Sequence, residues 1–268
     1  MSAVRHFQAT PGARTAQAPR MDYLLLGAAC ALLGLGLVMV ASASLHKVPG
    51  APFHYVLRHL LAIGLGGLGM LAAARLPVKV WERAGTPLYF LGLALLVLVL
   101  VPGIGREVNG ATRWIPVGPL NFQSSELMKL FTVIYIAGYL ERRRDEVARS
   151  VWGFVKPMLL LSIACLLILL QPDFGTTAVL LVTALGMLFL GGVPFFQFVI
   201  LMLIAAITLA VLVLISPYRL ERVTSFMDPW ADVQNSGYQL AQALIAFGRG
   251  EWTGVGLGNG IQKQFYLP

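Results

Sequence analysis

The chain has 268 residues, 57% of them hydrophobic and only 12% charged, with a mean hydropathy of +0.76. A soluble domain carries roughly twice that charged fraction, so a soluble enzyme, a disordered tail and a disulfide scaffold are all excluded. The net charge of +8 and pI near 9.8 point to cytoplasmic anchoring loops and anionic lipid, not to nucleic acid.

Residues 1–21 carry Arg5, Arg14 and Arg20 without an apolar segment and read as a disordered cytoplasmic tail, not a cleaved signal. The apolar residues that follow are blocked into runs near the roughly 20 residues that cross about 30 Å of hydrocarbon. Seven spans are expected: Tyr23–Ser44, Val56–Ala74, Thr86–Ile104, Phe122–Leu140, Pro157–Leu170, Thr176–Gly191 and Phe195–Ser216. Only Gln171-Pro172-Asp173-Phe174-Gly175 separates the fifth from the sixth. Two short tilted spans, one long broken helix or re-entrant halves all fit that pattern. Together they hold well over the apolar length that one crossing needs, which favours two spans. The fold class is therefore an all-α polytopic membrane protein with a helical bundle over residues 22–216. Cys30 and Cys165 both lie inside apolar runs and read as small core hydrophobes.

Lys and Arg in short loops set orientation. With a cytoplasmic N-terminus the inner loops hold eleven basic residues, Arg142, Arg143, Arg144, Arg149 and Lys156 among them, against Lys47, Arg58, Arg106 and Arg113 outside. Counting seven spans then places residues 217–268 outside, as the start of a large periplasmic loop. That loop is polar, carries Trp230 and Trp252, and includes an amphipathic stretch in which Leu240, Leu244 and Phe247 share a helical face. Asp228 before Pro229 reads as the start of a turn. The chain ends at Pro268 with the loop incomplete, so further sequence is expected beyond it.

Ionisable groups within spans are costly and are functional candidates by default. Gln123, Glu126 and Lys129 fall at i, i+3 spacing on one stripe at the start of the fourth span. A neutralising pair that fixes helix packing explains Glu126 and Lys129 equally well; what favours function is company at the same end. Arg113 beside Trp114 precedes this span, and Asp173 lies between the fifth and sixth. The outer loop adds Arg219, Arg249 and Lys263 to the same side, with Gln239 and Gln242 on the amphipathic stretch. Such cations could hold a lipid diphosphate, since Arg and Lys pair with phosphate oxygens while the acyl chain stays in lipid. The run Gly254-Val255-Gly256-Leu257-Gly258-Asn259-Gly260 fails the dinucleotide spacing, no Walker motif occurs, and His6, His46, His54 and His59 are dispersed.

Asn109-Gly110-Ala111-Thr112-Arg113-Trp114-Ile115, the run Gln123 to Lys129, Gln171 to Thr176, and the stretches from Arg222 to Phe226, Gly237 to Leu240 and Gln262 to Pro268 resemble the SEDS family (shape, elongation, division and sporulation). Ala246-Phe247-Gly248-Arg249-Gly250-Glu251 with Gly256-Leu257-Gly258-Asn259 is similar to its cell-division branch more than to its elongation branch. The resemblance implies ten spans with a large external loop after the seventh. It further implies a peptidoglycan glycosyltransferase that polymerises lipid II in the bacterial inner membrane during septal wall synthesis, beside a class B penicillin-binding protein. A lipid II flippase and a non-catalytic divisome scaffold are the rival classes. On this resemblance Arg113, Glu126 and Lys129 are the catalytic candidates and Asp173, Arg219, Gln239, Gln242 and Lys263 the substrate-binding ones. A divalent cation, Mg or Mn, is the one cofactor admitted, and no nucleotide is expected. The family's catalytic aspartate would follow Pro268, so the 268-residue chain is expected to be inactive alone. One departure from the pattern is Ser124, where the family usually has proline; serine also starts a helix well.

Overall fold

In a computed structural model, residues 22–44, 52–108, 110–118 and 120–262 are described. The expected cytoplasmic tail, His46, Lys47 and Lys263 lie outside those residues. The chain forms two units, Met1–His59 and Leu60–Pro268. The first contains α1 (Tyr23–Ser44), apolar on all sides and nearly all exposed. A helix hydrophobic all round belongs in lipid. Cys30 is exposed on it, so it faces lipid and is not the core residue that the sequence suggests; Cys165 is buried as expected.

The second unit takes up most of α2 (His54–Arg75) and continues through α3 (Val78–Leu100), α4 (Ser124–Arg142), α5 (Arg144–Arg149), α6 (Val151–Leu170), α7 (Phe174–Leu190), α8 (Phe195–Leu214), α9 (Pro217–Met227) and α10 (Tyr238–Gly250). Among the described residues five helices, α1, α2, α3, α6 and α8, are long and apolar enough to cross a membrane. This is a multi-pass membrane protein. The other two expected spans are both helical, but α7 is shorter, at 17 residues, and α4 carries Glu126, Lys129, Glu141 and Arg142. The fifth and sixth runs form separate helices, α6 and α7, joined at Gln171–Asp173.

Two helices begin before the expected span. α3 starts at Val78 and runs through Pro87, and α6 starts at Val151 and runs through Pro157. Charged residues such as Lys79, Arg83 and Lys156 interrupt the apolar pattern at these ends, yet their long stems let a helix continue out of the hydrocarbon. Ser150 caps α6 by accepting a hydrogen bond from the Trp152 N–H.

α4 is the centre of this unit, packing against α3, α6 and α7. Its buried face (Met128, Phe131, Thr132, Tyr135, Ile136 and Tyr139) meets Tyr89 and Leu96 of α3, with Leu161 and Ile168 of α6 and Leu180 and Leu188 of α7 in the same core. Lipid supplies no hydrophobic drive between helices, so close packing and hydrogen bonds must hold them. Gly85 supplies one close approach, since a Cβ there would lie 3.2 Å from the Ile134 carbonyl oxygen. The buried phenols supply the bonds: Tyr89 Oη donates to Leu160 O at 2.7 Å and Tyr139 Oη to Gly153 O at 2.8 Å.

Between α3 and α4 the chain forms a small antiparallel sheet, β1 (Arg106–Val108), β2 (Ala111–Val117) and β3 (Leu120–Gln123), in that order. It adds to the helical architecture an element with no counterpart in the sequence reading. Val108 pairs with Ala111 and Val117 with Leu120, each across two residues, with Gly110 and Gly118 at φ of +73° and +56°. Positive φ at such positions suits the tight turns that match strand twist.

Candidate functional site

The sheet ends where α4 begins, and this junction builds the site. Gln123 is both the last residue of β3 and the N-cap of α4. It therefore leaves the stripe that it would share with Glu126 and Lys129 in a continuous helix. Its amide Nε2 donates to Ser125 Oγ at 3.0 Å and to Asp173 Oδ2 at 3.4 Å. Ser124 occupies the first helical position rather than the cap, and its hydroxyl has no partner among the described residues.

Asp173 is 7% exposed and caps α7. Its Oδ1 accepts from the Thr176 N–H at 3.1 Å and its Oδ2 from the Thr176 hydroxyl at 2.9 Å. A carboxylate at a helix N-terminus satisfies orphan backbone donors and meets the positive end of the dipole. Beside it, Gln171 is buried, donating through Nε2 to Leu96 O at 3.1 Å while its Oε1 has no partner among the described residues.

Arg113 reaches this turn from the middle of β2. Its Nε donates to Gln171 O at 3.1 Å, and an Nη2 hydrogen goes to Pro172 O. Two of the five guanidinium N–H donors are thus engaged, and the cation straps the sheet to the α6–α7 turn. Arg113, Gln123, Gln171 and Asp173 form one polar node joining the sheet, α4, α6 and α7. Sequence reading proposed Arg113 and Asp173 but assigned no role to Gln171, although it opens the Gln171–Thr176 motif between two apolar runs.

Glu126 and Lys129 follow on the first turns of α4 as an ion pair, Nζ to Oε1 2.8 Å, with side chains 57% and 33% exposed. Partly exposed pairs contribute little to stability, which leaves this one available for another role. Arg219 of α9 donates to Leu212 O at 2.9 Å and stacks over the Phe174 ring at 5.4 Å, next to the capping Asp173. Gln239 is exposed and Gln242 half-buried on α10; neither side chain hydrogen-bonds among the described residues. Asp228 opens a turn through the Trp230 N–H, as its sequence suggests.

No three carboxylate, imidazole or thiol groups come together among the described residues. Asp173 is spent on Thr176 and Gln123, and Glu126 on Lys129. The residues of this part of the chain therefore do not by themselves complete a divalent-cation site.

Residues 23–268 match the family described as cell cycle protein, FtsW/RodA/SpoVE. The chain belongs to this family. It is 57% identical over 258 residues, 95% of its length, to the probable peptidoglycan glycosyltransferase FtsW of Allochromatium vinosum, and 54% identical over 93% of its length to that of Nitrosococcus halophilus. It covers 65% of each of those relatives, slightly under two thirds of their length. Among solved structures it resembles a chain of a peptidoglycan synthase complex described as coordinating polymerization and crosslinking, with TM-score 0.69 and 34% identity over 88% of this chain and 67% of that one. It also resembles the rod shape determining protein RodA of Thermus thermophilus, with TM-score 0.59 and 36% identity over 72% of this chain and 59% of that one.

Proposed function

We propose that the full-length protein is a peptidoglycan glycosyltransferase that polymerises lipid II at the division septum, beside a class B penicillin-binding protein that cross-links the product. The observation that carries this reading is the 57% identity to a relative named for that activity, maintained over 95% of the chain. The neighbouring synthase complex, described by both polymerization and crosslinking, supports the pairing with a cross-linking partner.

In this reading the 4-hydroxyl of one lipid II attacks the anomeric carbon of another lipid-linked chain. The new glycosidic bond forms as the anomeric carbon–phosphate oxygen bond breaks, and the diphosphate departs on its lipid. The hydroxyl proton passes to a carboxylate positioned within hydrogen-bond reach. Lys129 is our assignment for stabilising the developing diphosphate charge in a poorly screened site, with Glu126 orienting it. Arg113 holds the 171–173 turn through two N–H donors and keeps the others for phosphate. Asp173 and Arg219 bind substrate at the α7 end of the site, and Gln239, Gln242 and Lys263 bind it from the external loop.

The test is polymerisation of purified lipid II by the full-length protein with its penicillin-binding partner. Glycan strands from the wild type, and at least about a hundredfold fewer from Lys129→Ala, are expected if one positioned cation stabilises the leaving group. Wild-type activity in Lys129→Ala would reduce the Glu126–Lys129 pair to packing. No glycan from the wild type would remove the enzymatic reading.

A further inference from the structure

The glycine-rich run after α10 plays no part in that account, and it fails as a nucleotide fingerprint. Its backbone has a different property. Gly254, Gly256 and Gly258 have φ of +76°, +90° and +86°, while Val255 and Leu257 between them do not have positive φ. Alternating the sign of φ along successive residues turns consecutive N–H groups toward one side, which makes an anion-binding concavity. Among the described residues the N–H groups of Val255, Gly256 and Leu257 donate to no protein acceptor.

Val255 of this segment borders a cavity of about 260 Å³ whose lining also includes Arg249, Asn259 and Gln262. Arg249 is exposed and has no hydrogen-bond or ion-pair partner among the described residues. The end of α10 would repel an anion if its carbonyls were bare; two of its last four are engaged, Phe247 O accepting from Glu251 N and Gly250 O from Gly254 N. Asn259 braces the loop, its Nδ2 donating to Val255 O and its N–H to Gly256 O.

We infer that residues 249–260 form an anion site that takes a phosphate or diphosphate group, with Arg249 supplying the charge and the 255–257 backbone the fixed donors. This rests on the proposed function for its natural ligand, a lipid-linked diphosphate held by the external loop. Free diphosphate presents the same chemistry.

Calorimetric titration of the full-length protein in detergent tests it, with farnesyl diphosphate, inorganic diphosphate and farnesol as probes. Arg249→Gln and Gly256→Ala should each weaken farnesyl diphosphate at least about tenfold, roughly what one charge-assisted hydrogen bond supplies. Alanine at 256 is strained at φ +90° whatever the space. Gly248→Ala, which meets nothing within 4 Å and lies outside the site, should bind as wild type, as should every variant with farnesol. Loss of farnesyl diphosphate alone assigns the site to the lipid-linked group, and equal loss of inorganic diphosphate assigns it to the bare anion. Unchanged farnesyl diphosphate binding in Arg249→Gln overturns the inference, even should Gly256→Ala fail to fold. Failure of the polymerisation assay with these losses intact would strike the enzymatic reading and not the site.

Discussion

Replacing Arg113 by alanine separates its two roles. The structure gives the guanidinium two hydrogen bonds, to Gln171 O at 3.1 Å and to Pro172 O. Bonds from a charged donor contribute about 1.5–3 kcal/mol each, and partial exposure discounts them, so Arg113→Ala should destabilise by roughly 2–4 kcal/mol. Lysine offers a point charge without the fork, so Arg113→Lys should recover at most about half of that loss. Lys129→Met is the contrast. It removes only a pair whose carboxylate is 57% exposed, and should cost no more than about 1 kcal/mol. Denaturant unfolding of the full-length protein in detergent, read by tryptophan fluorescence, gives both numbers. Polymerisation measured on the same samples should fall in both variants. An Arg113→Ala protein as stable as wild type would show that the strap to the α6–α7 turn bears no load, and would return Arg113 to substrate alone.

Two further outcomes are expected at the basic end of the bundle. Hydrogen bonds from Lys156 first, and then Arg143, hold the Glu146 carboxyl below its ordinary value of 4.5. Stability from this group is therefore present above about pH 4.5 and lost as pH falls through the lowered folded value. Glu146→Gln should flatten the acid limb of an unfolding-versus-pH curve, and an unchanged limb would contradict the assignment. We also propose that this end is cytoplasmic, because the basic residues cluster there. Asp145→Cys should then resist an impermeant thiol reagent in intact cells while Asn235→Cys reacts, and external labelling at 145 would reverse the orientation.

Sequence alone revealed the features that depend on length and local composition. Apolar runs gave the helices, and the amphipathic run at Tyr238 gave α10, because lipid and interface select on those properties directly. Helix starts were less legible. Lys79, Glu82 and Arg83 read as loop, yet α3 carries them outward past the hydrocarbon. The sheet had a signal in Asn109-Gly110, a pair that favours two-residue hairpins, but the alternation around it is short and broken by Pro116.

The polar node was the least legible, because its bonds join residues far apart in sequence. Arg113 meets Gln171 across 58 positions and Gln123 meets Asp173 across 50. Composition does explain why such a node exists. Gln171 is buried at the turn between two packed helices, so its carbonyl needs a donor from the protein. A long cationic side chain projected from a sheet can supply two at once. The same demand makes Arg113 a poor free ligand and Lys129 a better one, since Lys129 owes its environment only a partly exposed Glu126. Of Arg113 and Lys129, the one less needed by the fold is therefore the one better able, in the proposed reaction, to follow charge as it moves onto a leaving diphosphate.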